Sequence, residues 1–402
     1  MTDRVVVTGL GPVSSIGVGV AAFGSALRAG RSGIGPIESF DASGFPHHRA
    51  GELRDFQPRE LLRRLDPAAW GRSAQFAASA ARLAVTDAGL DLEHEQADRI
   101  GAVIGTTSGE SQVVESLVAD VVGGGYAAMS PRALRQAPAE RLGYAVAEEL
   151  DLAGEVVTLA TACSASNYAI GYAYTCITSG EADVMLAGGA DSVCRWAHAG
   201  FYRLGALTEF ECKPFDADRS GILTGEGGAV LLLESESHAR ARGARAYAEL
   251  LGYGVNCDAH HMVAPNQASI AACMRLAHRD AGVRPEDVDY ISAHGTGTPA
   301  NDLVEGLAVR EVFGERVPPI SSIKSMLGHT MGAASGFGAI ATSLAIKESF
   351  LPPTINHRTL DPQLSWLDPV PNTARQATIR VAQNNGFAFG GNNAITMFGA
   401  TS

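Results

Sequence analysis

Val156-Val157-Thr158-Leu159 is a short apolar run rich in β-branched residues; Thr161-Ala162-Cys163-Ser164 follows it, and residues 166–177 then carry a helical pattern. An apolar run that ends in small residues and gives way to a helix is the strand–turn–helix unit of α/β proteins. The same grammar extends outward in both directions. Residues 4–9 read as a buried strand ending at Gly9, residues 71–88 as an alanine-rich helix opening near Asp66-Pro67, and residues 100–105 as a second buried strand. Past the cysteine, residues 182–189 and 229–233 are strands again.

The polar stretch 234–245 predicts a connection between two halves, 1–245 and 246–402. The second half opens with a strand at 246–253 and a helix at about 269–281. A strand at 288–293 then delivers His294 at its carboxyl end, and further strands are expected at 320–323, 377–383 and 394–398, with a helix at 335–347. Both halves alternate strand and helix in the same way, so a duplicated α/β unit is expected from pattern alone. No sequence identity between the halves is evident, and no low-complexity tract or short repeat occurs.

The 402 residues are roughly two to three times the usual ~100–200 of a domain, which also predicts two units. With 46% hydrophobic and 18% charged residues the chain is not disordered. No apolar run reaches the roughly 18 residues of a membrane span. The start, with acidic Asp3, shows no signal peptide, so the cytoplasm is the expected location. A net charge of -12 argues against nucleic acid as a partner, while leaving room for a local basic patch facing an acidic one. The only lysines are Lys213, Lys324 and Lys347, which gives each of them added interest. Six cysteines without a CxxC pair or zinc spacing read as reduced thiols, most of them buried.

Three side chains stand out chemically. Cys163 sits at a strand-to-helix turn, where a helix N-terminus favours a thiolate and backbone N–H groups are free to hold an oxyanion. Alone it reads equally well as a buried structural thiol. His294 opens His294-Gly295-Thr296-Gly297-Thr298-Pro299, whose glycines admit a substrate close to the backbone. His329 lies in Lys324-Ser325-Met326-Leu327-Gly328-His329, another strand end running into a helix. Ligands of α/β sheets bind at the carboxyl ends of strands, so the three are expected to converge. A Cys/His/His set is also a possible zinc triad, but no HxxxH and no ordered acidic ligand accompanies it, and no metal is expected.

Together, Thr161-Ala162-Cys163-Ser164-Ala165, His294-Gly295-Thr296-Gly297-Thr298 and Lys324 to His329 resemble the motifs of the elongating β-ketoacyl-acyl carrier protein synthases. The likeness runs from Val5-Val6-Val7-Thr8-Gly9 through Lys213-Pro214-Phe215-Asp216 to Phe387-Ala388-Phe389-Gly390-Gly391, in order, over essentially the whole chain. It implies the thiolase-like fold, two similar halves in a five-layered α-β-α-β-α arrangement, commonly dimeric. It implies that Cys163 takes an acyl group from a carrier protein's phosphopantetheine, with no other cofactor. His294 and His329 would stabilise the enolate left when malonyl-carrier loses carbon dioxide, and the N–H groups of Cys163 and Phe389 would form the oxyanion hole. Thr296 and Thr298 match pantetheine-binding positions, and Lys324 and Glu305 match a lysine–carboxylate pair expected to orient His329 and balance charge.

Histidine at both later positions distinguishes elongating synthases from initiating ones (Cys-His-Asn) and thiolases (Cys-His-Cys). Cys163 separates the chain from the cysteine-free chain-length-factor subunits, a non-catalytic alternative. Three departures point toward specialised polyketide rather than housekeeping fatty-acid synthesis. Ala388 and Asn392 replace a glycine and a threonine of the gate that contains Phe387 and Phe389, and Ala388 is expected to stiffen it. The stretch Leu207 to Lys213 is short, and Ser108 replaces a bulky residue of the acyl pocket, which suits an unsaturated or oxygenated chain. The partner is then either a second copy or a homologous chain-length factor. Arg63 and Arg64 match a carrier-docking position; the alternative is a solvated helix end paired with acidic neighbours.

Overall fold

The computed structural model describes residues 3–401. Five strands carry the first half: β1 (Val5–Ser14), β2 (Ile100–Gly105), β3 (Val156–Leu159), β4 (Val184–Asp191) and β5 (Gly227–Ser235). Five carry the second: β6 (Ala248–Cys257), β7 (Tyr290–Ser292), β8 (Ile320–Ser321), β9 (Val381–Phe387) and β10 (Asn392–Gly399). The order across the sheet is β8-β7-β9-β10-β6-β1-β5-β4-β2-β3. Each half therefore has the same order, with β6 to β10 repeating β1 to β5. The directions repeat as well: in each half the first three strands of the path are antiparallel and the last two pairings parallel. The two halves join where Val5, Val6 and Val7 of β1 pair with Leu250, Glu249 and Ala248 of β6.

Six helices complete the layers: α1 (Arg72–Ala88), α2 (Arg141–Leu150), α3 (Ala165–Thr178), α4 (Gln267–Asp280), α5 (Pro299–Phe313) and α6 (Ala334–Glu348). Helices α3 and α6 touch each other and strands of both halves, so they form the middle layer. Helix α6 is buried from Ala334 to Ile346, as an element covered on every side must be. Helices α1 and α2 cover the outer face of the first half, and α4 and α5 that of the second. Three apolar clusters fill the spaces between these layers: Ala169, Ile170, Phe337 and Leu344 in the middle, Phe76, Leu142 and Ile104 on one side, and Ile270, Met274 and Phe313 on the other. Helix α1 lies so close to β1 that a Cβ on Gly11 would fall 1.8 Å from the Ala80 carbonyl oxygen. The architecture is the five-layered thiolase-like α/β fold. Among the described residues no helix is long and apolar enough to cross a membrane.

Two expectations from the sequence shift. The strand placed at 377–383 lies at Val381–Phe387, because Ala382 must register with Tyr290 of β7. The residues before it leave the sheet; Arg375–Gln376 pair instead with Phe350–Leu351, and the Ala377 N–H donates to the Ser349 carbonyl. The polar stretch 234–245 is no loose linker. Glu234 is buried and accepts hydrogen bonds from Arg242, His238 and Thr8, which clamps the helix Glu236–Ala241 onto β1.

Candidate active site

Cys163 follows β3 in a tight turn, Ala162–Ser164, that feeds α3. The turn is strained: Ala162 has φ +50°, a left-handed conformation unusual for a residue with a Cβ. His329 follows β8 and leads through Met331–Ala333 into α6, and Met331 has φ +51°. These are equivalent places in the two halves. Aligned on the topology, Thr161-Ala162-Cys163-Ser164-Ala165-Ser166 matches Thr330-Met331-Gly332-Ala333-Ala334-Ser335, a short likeness hidden until the fold aligns it. The turns are also tied together: Ser166 Oγ donates to the Gly332 carbonyl, and Ser335 Oγ accepts from the Asn167 N–H at 3.1 Å.

His294 leaves the end of β7 and lies edge-on to His329, with ring centroids 5.7 Å apart and an interplanar angle of 80°. Its ring also packs at 5.7 Å on Phe387. Cys163, His294, His329, Thr296, Thr298, Phe387 and Phe389 all line one cavity of about 270 Å³. Thr296 and Thr298 share a hydroxyl–hydroxyl bond of 2.8 Å at its wall.

Protonation follows from burial. Both imidazoles are held well below 6.5, first by burial and then by the positive charge of Lys324. They are neutral, and His329 is fixed further. Its Nδ1 accepts the Met331 N–H at 3.1 Å, so its proton sits on Nε2. The Cys163 thiol departs from expectation. Burial pushes it up to about 11, although Lys324 and the N–H groups of Phe389 and Cys163 pull it down. The resting group is a thiol; the helix terminus and the two amides aid the anion as it develops rather than holding it in advance. Both amides lie within hydrogen-bonding reach of the sulfur.

Lys324 and Glu305 also differ from expectation. Both are fully buried, and both hold His294 rather than His329. Lys324 Nζ donates to the His294 carbonyl, while the Glu305 carboxylate accepts the N–H groups of His294 at 2.8 Å and Gly295 at 2.7 Å. Burial lowers the Lys324 ammonium, a shift that Glu305 opposes, and burial raises the Glu305 carboxyl, a shift opposed by the hydrogen bonds from Asn385, Gly295 and His294. Their effect is to clamp the peptide from which His294 projects.

Other residues fall less centrally. Ser108 sits in the turn after β2, bonded to the Ser111 hydroxyl at 2.6 Å, and the cavity does not reach it. Ala388 has φ -129°, ordinary extended backbone that any residue adopts, so it sits in the loop without strain. The gate is held instead by residues the sequence did not single out. Gly390 N–H donates to the Met262 carbonyl, Asp258 N–H to that of Gly391, and Asn393 to the Asp258 carboxylate. Phe201, its ring tilted at 42° and 5.7 Å from that of Phe389, lines the cavity as well. Asp302, three residues before Glu305 on α5, receives the N–H groups of Thr296, Gly297 and Phe215; the shared helix face was the available signal. The Arg64 guanidinium pairs with Asp151 at 2.8 Å, whereas the Arg63 guanidinium has no carboxylate within 4.0 Å among the described residues, its backbone N–H donating to Glu149 at 2.9 Å. All six cysteines are free, and Cys257 alone is exposed. Among the described residues, the one trio with metal-ligand spacing is Glu155, Cys176 and Glu181, which does not include the cavity histidines.

A buried cysteine at a strained strand-to-helix turn, lining one cavity with two neutral histidines of the other half, is the arrangement of a thiolase-like condensing enzyme. The chain belongs to the beta-ketoacyl synthase family: residues 2–239 match the model of its N-terminal domain and 247–358 that of its C-terminal domain. It is an acyltransferase of the kind that forms carbon–carbon bonds. It is 38% identical to a 3-oxoacyl-[acyl-carrier-protein] synthase 2 of Synechocystis sp., over 98% of this chain and 97% of that one. The structure titled "The ishigamide ketosynthase/chain length factor" is 49% identical, covers both chains fully and superposes with a TM-score of 0.98. A type II polyketide ketosynthase in complex with its acyl-carrier protein is 32% identical, again over both full chains, with a TM-score of 0.92.

Proposed function

We propose that this chain catalyses decarboxylative condensation of an acyl group on Cys163 with malonyl-acyl carrier protein, in a specialised polyketide pathway of the cytoplasm. The observation that carries the reading is the cavity where the Cys163 sulfur, two N–H groups and two neutral imidazoles meet. In the first step the Cys163 sulfur attacks an acyl thioester; the carbonyl oxygen becomes an oxyanion held by the Cys163 and Phe389 N–H groups. Collapse breaks the bond to pantetheine, and the thiol proton ends on the departing pantetheine sulfur. The carrier then returns with malonate. The His329 Nε2–H, together with His294, donates to the malonyl thioester oxygen while the carboxylate leaves as carbon dioxide and its electron pair forms an enolate. The enolate carbon attacks the acyl-Cys163 carbonyl, the C–S bond breaks, the departing thiolate takes up a proton from solvent, and the carrier holds a β-ketoacyl chain two carbons longer. Thr296 and Thr298 flank the pantetheine arm. Neutral donors suit this step, since an enolate needs hydrogen bonds rather than a base.

Halves 1–245 and 246–402 supply the nucleophile and the histidines respectively. The polyketide assignment is supported by the greater identity to the ketosynthase/chain-length-factor structure, 49% against 38%. A dimeric partner of homologous fold is supported by the outermost strand β3, which has no neighbour on its far side. In the helix Ser111–Gly124, between β2 and β3 in the chain, Val114, Val118 and Val122 form an exposed apolar stripe at helical spacing. The test is intact mass after mixing with a short acyl-carrier protein. One added acyl group, absent in Cys163→Ala, is expected. Failure of loading across a panel of chains, with homologous partners supplied, would overturn the catalytic reading in favour of a structural subunit.

A further inference from the structure

The Glu305 carboxylate accepts a third hydrogen bond, from Asn385 Nδ2 at 2.9 Å, and behind Asn385 the bonding continues. Asn385 Oδ1 accepts from Gln383 Nε2 at 2.7 Å, and Gln383 Oε1 meets His278 Nε2 at 2.7 Å. All four side chains are at least nine-tenths buried. Gln383 and Asn385, two apart on β9, point to the outer face under α4 and α5; Asn384 between them points inward, to Asn167 and Ser335. The direction of every bond follows from the carboxylate end. An ionised carboxylate only accepts, so Asn385 must present its NH2 to Glu305 and its oxygen to Gln383. Gln383 must then present its own NH2 to Asn385 and its oxygen to His278, which donates from Nε2. The donors all point one way, and their dipoles add toward Glu305.

Two leucine-sized side chains would fill the positions of His278 and Gln383 without burying polar groups, a cost that a purely structural contact has no need to incur. We infer that His278 and Gln383 are positioning residues: through Asn385 they keep the Glu305 carboxylate ionised, so that with Lys324 it holds the His294 peptide in place. This rests on the condensation reading for its consequence in catalysis, though not for its electrostatics. The groups facing Glu305 are Lys324 on the turn after β8, His294 at the end of β7, and Asp302 on its own helix, itself beside Arg219 at 3.8 Å. His278 donates its Nε2–H whether neutral or protonated, so the direction of the relay does not depend on its titration. Burial raises the Glu305 carboxyl and the Asn385 hydrogen bond is the leading influence opposing that rise.

The test is infrared titration of the full-length protein, with the Glu305 carboxyl band assigned by its loss in Glu305→Gln. Gln383→Leu and His278→Leu should each move that titration to higher pH by roughly 1 unit. His278→Gln, which restores an amide donor, should return it toward the native value. Met274→Ala, a cavity on the same buried face of α4, should lower the melting temperature without moving the band. In turnover, the acid limb of carbon dioxide release from malonyl-carrier should shift upward with the band, since the active form is the ionised one. Unmoved titration in folded Gln383→Leu and His278→Leu would overturn the relay, and so would an equal shift in Met274→Ala. A native protein that releases no carbon dioxide would sink the condensation reading while the infrared result still decides the relay.

Discussion

Gly105 ends β2 where the strand passes under the first turn of α3, two residues beyond Cys163. A Cβ placed there would lie 2.4 Å from the Ala165 carbonyl carbon, 2.6 Å from its oxygen and 2.7 Å from the Ser166 nitrogen. All three are backbone atoms, so no side chain can swing aside. Ordinary contact begins near 3.4 Å, which means that Gly105→Ala must push the start of α3 back by about 1 Å. Overpacking of this kind costs about 1–3 kcal/mol, a lower melting temperature but not loss of a fold this size. The larger effect is on chemistry. The sulfur moves with the helix, whereas the Phe389 N–H belongs to the gate and stays, so the nucleophile and half of its oxyanion hole separate. A displacement of about 1 Å at a reacting centre is worth about 100-fold in rate. The assay is the rate of mass gain on Cys163 from a short acyl-carrier protein. The comparison is Gly200→Ala, whose added Cβ meets nothing within 4 Å and which should load like the native chain. A folded Gly105→Ala that loads at the native rate would refute the claim that this crossing sets the position of the thiol.

Reversal of Arg63 and Arg64 to Glu should reduce carrier-dependent turnover by roughly tenfold while sparing a free acyl thioester, because rim charges act on association; equal loss with both substrates removes these arginines from the docking surface. His198 is buried between Phe40 and Phe45 and held below 6.5, chiefly by burial. It is neutral when folded and gains a proton on unfolding below that value, so its contribution to stability is complete above 6.5 and lost as the pH falls toward its folded value. The melting temperature of the native chain should therefore drop relative to His198→Phe on acidification, and a gap independent of pH would contradict the assignment.

The reactive residues were legible in the sequence because each sits in a locally determined setting. An apolar strand, a turn of small residues and a helix are all written within about a dozen positions around Cys163, and again around His329. What the sequence did not yield depends on distant register. Gln383, Asn384 and Asn385 are polar residues in a largely buried strand, which apolar patterning cannot extend past 383; only pairing with β7 places the strand at 381–387. His278 reads as one polar residue on a helix until β9 is laid beneath it. The thiol's raised pKa has the same origin. Helix position is a local property and argued for a thiolate, but burial is set by α6, the gate and the second half together. Likewise, the family resemblance tied Lys324 and Glu305 to the histidines without revealing that both hold the peptide of His294.

The duplication raises the question of why one half carries a cysteine in its turn and the other does not. Both halves build the same strained turn, with positive φ at Ala162 and Met331, and Cys163 in the first turn and His329 just before the second line the same cavity. The residue equivalent to Cys163 is Gly332, and there a side chain is sterically impossible: a Cβ would fall 2.6 Å from the backbone of Thr106 and 2.7 Å from Asp191 Oδ2. Asp191 lies there because it accepts the N–H groups of Gly332 and Thr107, each at 2.7 Å, and so ties the second turn to the end of β2. That tie also places the Met331 N–H against His329 Nδ1 and so fixes the proton on Nε2. One turn has thus given up a side chain in exchange for close packing that sets a tautomer, while the other keeps its side chain, the thiol that the proposed mechanism uses. In that mechanism, acyl transfer and enolate stabilisation are divided between the halves by which of two equivalent positions has room for a Cβ.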